Sequence, residues 1–236
     1  AESLRLAIKD LIATFGAKYP KGKSFLARLD AIDAQLKAGK GAEELEVLRR
    51  EALLANPLLD FDKILLVRRK GAALPANWQG NSSMKKNGYT NDIVVLTGLD
   101  DGKITSLFTP EGGNYVGETD LNFDADKILF STVGKNGAWV VSEIKADGTG
   151  LREVSPDMGK DIDSYDPVYL PNGKIIFDST TGYSGVPCVG GKDYVANLHL
   201  MDADGKNVRR LCFEQDNDWY PVMLNNGRVM FLRWEY

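Results

Sequence analysis

The chain has 236 residues, 43% hydrophobic and 26% charged, the make-up of an ordinary folded globule and not of a disordered segment. A net charge of −4 argues against nucleic acid as a partner, because phosphate binding needs a concentrated basic face. No apolar run approaches the roughly 20 residues of a membrane span, so no membrane segment is expected. Ala1-Glu2-Ser3 shows neither an initiator Met nor a signal peptide, the start expected of a form cleaved from a leader or of an excised piece.

From residue 2 to about 56 the apolar spacing is helical. Leu4, Ile8, Leu11, Ile12 and Phe15 share one face, then Phe25, Leu29, Ile32 and Leu36, then Leu45, Leu48 and Ala52. Gly16 with Tyr19-Pro20, and Gly39 with Gly41, separate three short helices that Pro57 ends. Residues 1–57 are therefore expected to form a helical cap and 58–236 a second, β-rich region.

Beyond Phe61 the period falls to two and β-branched residues take over. The phrase Ile144-Lys145-Ala146-Asp147-Gly148-Thr149-Gly150-Leu151-Arg152 returns as Met201-Asp202-Ala203-Asp204-Gly205-Lys206-Asn207-Val208-Arg209. Each copy follows a strand signal, at 127–131 and 174–179, and a third such signal lies at 228–232. Repetition at about 50 residues indicates a repeat architecture, and strand, Asp-Gly hairpin, strand is the order of a β-propeller blade. Blade 1 is placed at about 61–112, blade 2 at 115–155, blade 3 at 162–213 and the start of blade 4 at 219–236. Blade 3 and the last segment align without a gap, with Tyr165-Asp166-Pro167-Val168 over Trp219-Tyr220-Pro221-Val222. The fold class is mainly β, an incomplete propeller behind a three-helix segment. An open ring leaves bare strand edges, so the expected partner is the remainder of the same polypeptide or other subunits that complete it.

The repeat unit resembles that of periplasmic propellers such as the Tol-associated one. Asn77-Trp78-Gln79-Gly80-Asn81-Ser82-Ser83, Gly185-Val186-Pro187-Cys188, Leu211-Cys212-Phe213-Glu214-Gln215-Asp216 and Arg233-Trp234-Glu235-Tyr236 make the whole chain similar to the amino-terminal half of proteins related to the hydrazine synthase alpha subunit. That resemblance implies a periplasmic or secreted bacterial protein. It also implies c-type haem chemistry, but only beyond the propeller, and this chain has no motif to attach a haem, so no cofactor is expected here. Where the family frequently has histidine this chain has Asn122 and Asn217, and where it frequently has cysteine this chain has Tyr220, which removes potential metal or haem ligands.

Three acidic groups precede blade strands: Glu118 with Asp120, then Asp161, Asp163 and Asp166, then Asp216 and Asp218. At the mouth of a propeller channel they suit Ca²⁺, a glycan or paired acid/base chemistry; Asp-rich loops are equally good turn formers. The connection from Arg68 to Asn91 carries Trp78, Gln79 and Asn81, groups that suit a sugar face or a carboxylate, or that pin the loop in place. Arg233 and Glu235 share one face of the last strand. Cys188 and Cys212 either close a disulfide or stay as two buried thiols. His199, the single histidine, stands on a strand as a packed ring, which weakens any mechanism needing a Ser-His or Cys-His pair. No catalytic residue is assigned. The expected role is binding or scaffolding, with a carbohydrate-active or multihaem redox enzyme completed by residues outside this chain as the alternative.

Overall fold

The computed structural model describes residues 1–71, 80–99 and 102–235, apart from the Cys188 side chain. The chain divides into two compact units, 1–64 with 96–104, and 65–95 with 105–236, whereas the sequence placed the boundary after Pro57.

In the first unit, α1 (Glu2–Phe15), α2 (Gly22–Leu36) and α3 (Ala42–Leu54) bury the faces that their spacing marks. Leu4, Ile8 and Leu11, then Phe25, Leu29 and Ile32, then Leu48 and Ala52 form one core with Tyr19. The Tyr19 hydroxyl donates to the Ala52 carbonyl at 2.8 Å, so the ring buries its apolar body without stranding its polar tip. Helices α1 and α2 come together at Gly22, where an added Cβ would collide with Ile12 Cγ1. Arg5 bonds Asp30 and Asp33 across the same pair. After α3, Asn56 accepts from the Leu58 amide at 3.0 Å ahead of Pro57.

Among the described residues the β structure is four sheets. The first has the order β1 (Lys63–Arg69), β2 (Asn91–Thr97), β3 (Lys103–Phe108). The second runs β4 (Val116–Leu121), β5 (Lys127–Val133), β6 (Trp139–Lys145), β7 (Arg152–Glu153). The third is β8 (Ser164–Tyr169), β9 (Ile175–Ser179), β10 (Asn197–Met201), β11 (Arg209–Arg210), and the fourth pairs β12 (Asp218–Met223) with β13 (Val229–Arg233). The paired strands of the last three sheets are antiparallel neighbours in sequence. The Asp-Gly turns at Gly148 and Gly205 take φ of +84° and +80°, a region open to glycine without a Cβ penalty. The weaker copy of this turn expected at 99–103 falls partly on Asp100 and Asp101, outside the described residues.

Three apolar layers lie between consecutive sheets. Ile93 meets Val116, Ile128, Phe130 and Ile144; Leu129, Val141 and Val154 meet Tyr169, Ile175, Phe177 and Met201; Val168, Ile176, Leu198 and Leu200 meet Met223, Val229 and Phe231. The fourth sheet is covered on one side only. Ile176 of β9 is 5% exposed, while Met230, its repeat equivalent in β13, is 56% exposed; Asp178 is fully buried and its equivalent Leu232 is 51% exposed.

Each inner strand of the last three sheets carries a bulge at the same place, between Gly117 and Asp120, between Tyr165 and Val168, and between Trp219 and Val222. Glu118, Asp166 and Tyr220 stand there with φ of +44°, +49° and +52°. A left-handed backbone costs a non-glycine residue roughly 1–2 kcal/mol, and the surroundings must offset it three times over.

Candidate functional site

These bulges bring together a group of buried ionisable side chains. Glu118 accepts from the Tyr115 hydroxyl at 2.5 Å and from Asn81 Nδ2 at 2.9 Å. Burial pushes its carboxyl above the ordinary range, against the pull of those two bonds. Burial, then the charge of Glu118, raises Asp166 well above the ordinary range; burial, then the charge of Asp166, does the same to Asp178 on β9. Tyr220 faces all three carboxyls, and burial with their charge raises its phenol. Both oxygens of Asp166, both of Asp178 and Asn81 Oδ1 are buried without a protein hydrogen-bond partner. Proton storage or the holding of a small positive charge is the chemistry such acceptors support.

The residues singled out in the sequence have varied surroundings. Asp120 Oδ2 accepts from the Tyr169 amide at 2.7 Å. Asp163 Oδ1 accepts from the Trp139 amide at 2.9 Å and from Lys86 Nζ at 3.2 Å. Its repeat equivalent Asn217 accepts from the Ala196 amide at 2.7 Å, so both side chains staple the start of a third strand to the loop before the next sheet. Asp161 is exposed and Asp216 is buried, with the Asp216 carbonyl accepting from Asn197 Nδ2. Asp218 is fully buried and accepts from Arg233 Nε at 2.9 Å; Arg233 also reaches Glu214 at 3.4 Å and Glu235 at 3.8 Å. Among the described residues no three His, Cys, Asp or Glu side chains stand in a metal-holding arrangement.

Arg68 grips Asp92 with two bonds of 2.9 and 2.7 Å. With Arg69, Lys70, Tyr89 and Thr109 these two line an open groove of about 620 Å³. The Arg69 guanidinium lies 4.5 Å over the Tyr115 ring. Asn81 is fully buried, while Trp78 and Gln79 lie outside the described residues. Cys212 carries a free thiol that burial, with the charge of Asp218, pushes up to about 11. The Cys188 side chain, the other half of the bridge-or-two-thiols alternative, lies outside the described residues. His199 is a packed ring: Nδ1 donates to the Asn197 carbonyl and Nε2 accepts from Thr181, each at 2.8 Å, and burial lowers its pKa.

The bulge cluster was partly missed in the sequence. Asp178 interrupts the apolar run Ile175-Ile176-Phe177, a charge in mid-strand that marks it out, and the gapless alignment sets Asp166 over Tyr220. Glu118 was marked as an acidic neighbour of Asp120, but its bulge was not, because a left-handed backbone at glutamate has no propensity signal.

No family model and no curated protein matches the chain. Among solved structures it is similar to TolB from Acinetobacter baumannii, at 18% identity and TM-score 0.46 over 63% of this chain and 33% of that one. A putative TolB from Agrobacterium tumefaciens matches at 20% identity and TM-score 0.42, over 60% of this chain and 49% of that one. A Mycobacterium tuberculosis puromycin-hydrolyzing peptidase matches at 12% identity and TM-score 0.49, over 73% of this chain and 26% of that one. The chain thus spans a third to a half of the length of the TolB structures.

Proposed function

We propose that the chain is the leading part of a β-propeller in a periplasmic or secreted protein of the hydrazine synthase alpha subunit-like kind, serving as a binding or scaffolding module. The observation that carries this reading is the pair of unequal faces at equivalent repeat positions. Ile176 and Asp178 are covered by a following sheet, while Met230 and Leu232 of β13 have the same pattern and no cover. A ring that continues past β13, through more of the same polypeptide or through another subunit, buries them at roughly 25 cal/mol per Å² of apolar surface. Ligand recognition then falls to the open groove with Lys70 and Tyr89 beside the Arg68–Asp92 pair, suited to a glycan. The buried carboxylates favour the second reading, a carbohydrate-active enzyme whose remaining catalytic groups lie in other sheets.

Hydrogen–deuterium exchange on protein isolated from its native source, set beside this chain alone, tests the proposal. Slow exchange at 229–233 in the native material and fast exchange in the isolated chain is the expected result. Fast exchange in both would refute a closed ring.

A further inference from the structure

Asp166 and Asp178 are brought together by the strand register. Asp178 pairs across the ladder with Tyr165, and the bulge that follows places Asp166 opposite the same stretch of β9. The two carboxyls lie against each other. Asp166 is 4% exposed and Asp178 fully buried, no Lys or Arg forms an ion pair with either among the described residues, and all four oxygens lack a protein donor. The groups facing the pair are Glu118 from β4, Tyr165 from β8, Asp163 from the loop before β8, and Asp218 and Tyr220 from β12. Two carboxylates so placed cannot both stay ionised, because each charge loses its hydration and meets a like charge at contact distance.

One sheet earlier the same position holds a neutral group. Ser131 follows Phe130 on β5 as Asp178 follows Phe177 on β9, and Ser131 Oγ accepts from the amide of the bulge residue Asp166 at 2.9 Å. Asp178 stands at the corresponding place beside the next bulge residue, Tyr220. At the joint between the second and third sheets a side chain of the second strand thus grips the left-handed bulge of the following inner strand, and Asp178 occupies that place in the third sheet.

We propose that Asp166 and Asp178 share one proton at neutral pH, forming a carboxyl–carboxylate pair that makes the joint between the third and fourth sheets sensitive to pH. The Asp178 O–H donates to the Asp166 carboxylate, which partners one oxygen on each side. Loss of the proton puts two charges at contact within the joint. The sign follows from linkage: the folded pair binds a proton that unfolded aspartates, with pKa about 3.9, release. The pair's contribution to stability is therefore fully present below that value and is lost as pH rises through the raised folded pKa. The fourth sheet is held more tightly in acid than in alkali.

The test is thermal unfolding followed by tryptophan fluorescence from about pH 5 to about pH 8, together with the infrared carbonyl band of protonated carboxylic acid at neutral pH. Wild type is expected to show that band and to lose thermal midpoint as pH rises. Asp178→Asn, which keeps the shape and donates an N–H in place of the O–H, should lose the band and flatten the slope. Equal slopes in the two proteins, or no acid band in wild type, would overturn the proposal. So would a wild-type midpoint raised by Ca²⁺ and lowered by a chelator with no acid band, since the pair would then hold a metal ion. If Asp178→Asn does not fold, the wild-type band and its shift in deuterium oxide decide alone.

Discussion

Replacing Ile176 and Met230 by alanine, one at a time, turns the unequal faces of the third and fourth sheets into a number. Ile176 is 5% exposed and packs in the layer with Val168, Leu198, Val229 and Phe231, so truncation removes buried methylenes and leaves a cavity walled by two sheets, a cost of about 2–5 kcal/mol. Met230 occupies the equivalent place in β13 but is 56% exposed, and truncation at such a surface costs within about 0.5 kcal/mol. Urea unfolding followed by tryptophan fluorescence reads the difference cleanly, because Trp139, Trp219 and Trp234 all lie in the second unit and the helical unit contains no tryptophan. A gap of about 1.5 kcal/mol or more between the two variants is expected. Equal losses would mean that Met230 is already covered in the isolated chain, and the argument for an unfinished ring would fail.

In the helical unit, Tyr19→Phe strands the Ala52 carbonyl and should lower stability by about 1 kcal/mol, read by far-ultraviolet circular dichroism. Gly80→Ala forces a Cβ to within 2.6 Å of Trp219 Nε1 and 2.8 Å of the Tyr165 hydroxyl at φ +73°, so a loss of about 2 kcal/mol or more is expected in a thermal melt. Hydrogen bonds from Arg68 hold Asp92 below the usual carboxylate range. Its contribution is present above the unfolded pKa and disappears as pH falls through the lower folded value, so Asp92→Asn should flatten the acid limb of stability against pH. With its thiol near 11, Cys212 should alkylate at about pH 8 on the order of a hundredfold more slowly than a free cysteine, measured on the isolated peptide by mass spectrometry.

The strands and helices were legible because their signals are local. A period of two over 127–133 and 174–179, with Asp-Gly or Asn-Gly between runs, leaves few alternatives to a hairpin, and the apolar faces of the three helices end at glycines and Pro57. The bulges were not legible, since φ near +50° at Glu118, Asp166 and Tyr220 is imposed by the neighbouring sheet and not by the residues themselves. Asp163 shows the same limit for the site. An aspartate before a strand reads equally as a ligand or as a cap, and only the Trp139 amide lying 2.9 Å from Oδ1 shows which backbone group it serves. Asp166, chosen for a channel mouth, instead sits sealed against Asp178.

The bulge in β8 is followed at once by Pro167, and the bulge in β12 by Pro221. Both strands stand at the edge of their sheet, where an open row of amides invites a foreign strand. A proline there withdraws one donor, and the left-handed residue before it twists the row out of line, which opposes a further strand zipping onto that side. The third and fourth sheets are thereby guarded against lateral growth along their inner edges, while β13, an edge with no proline, stays open to a pairing strand.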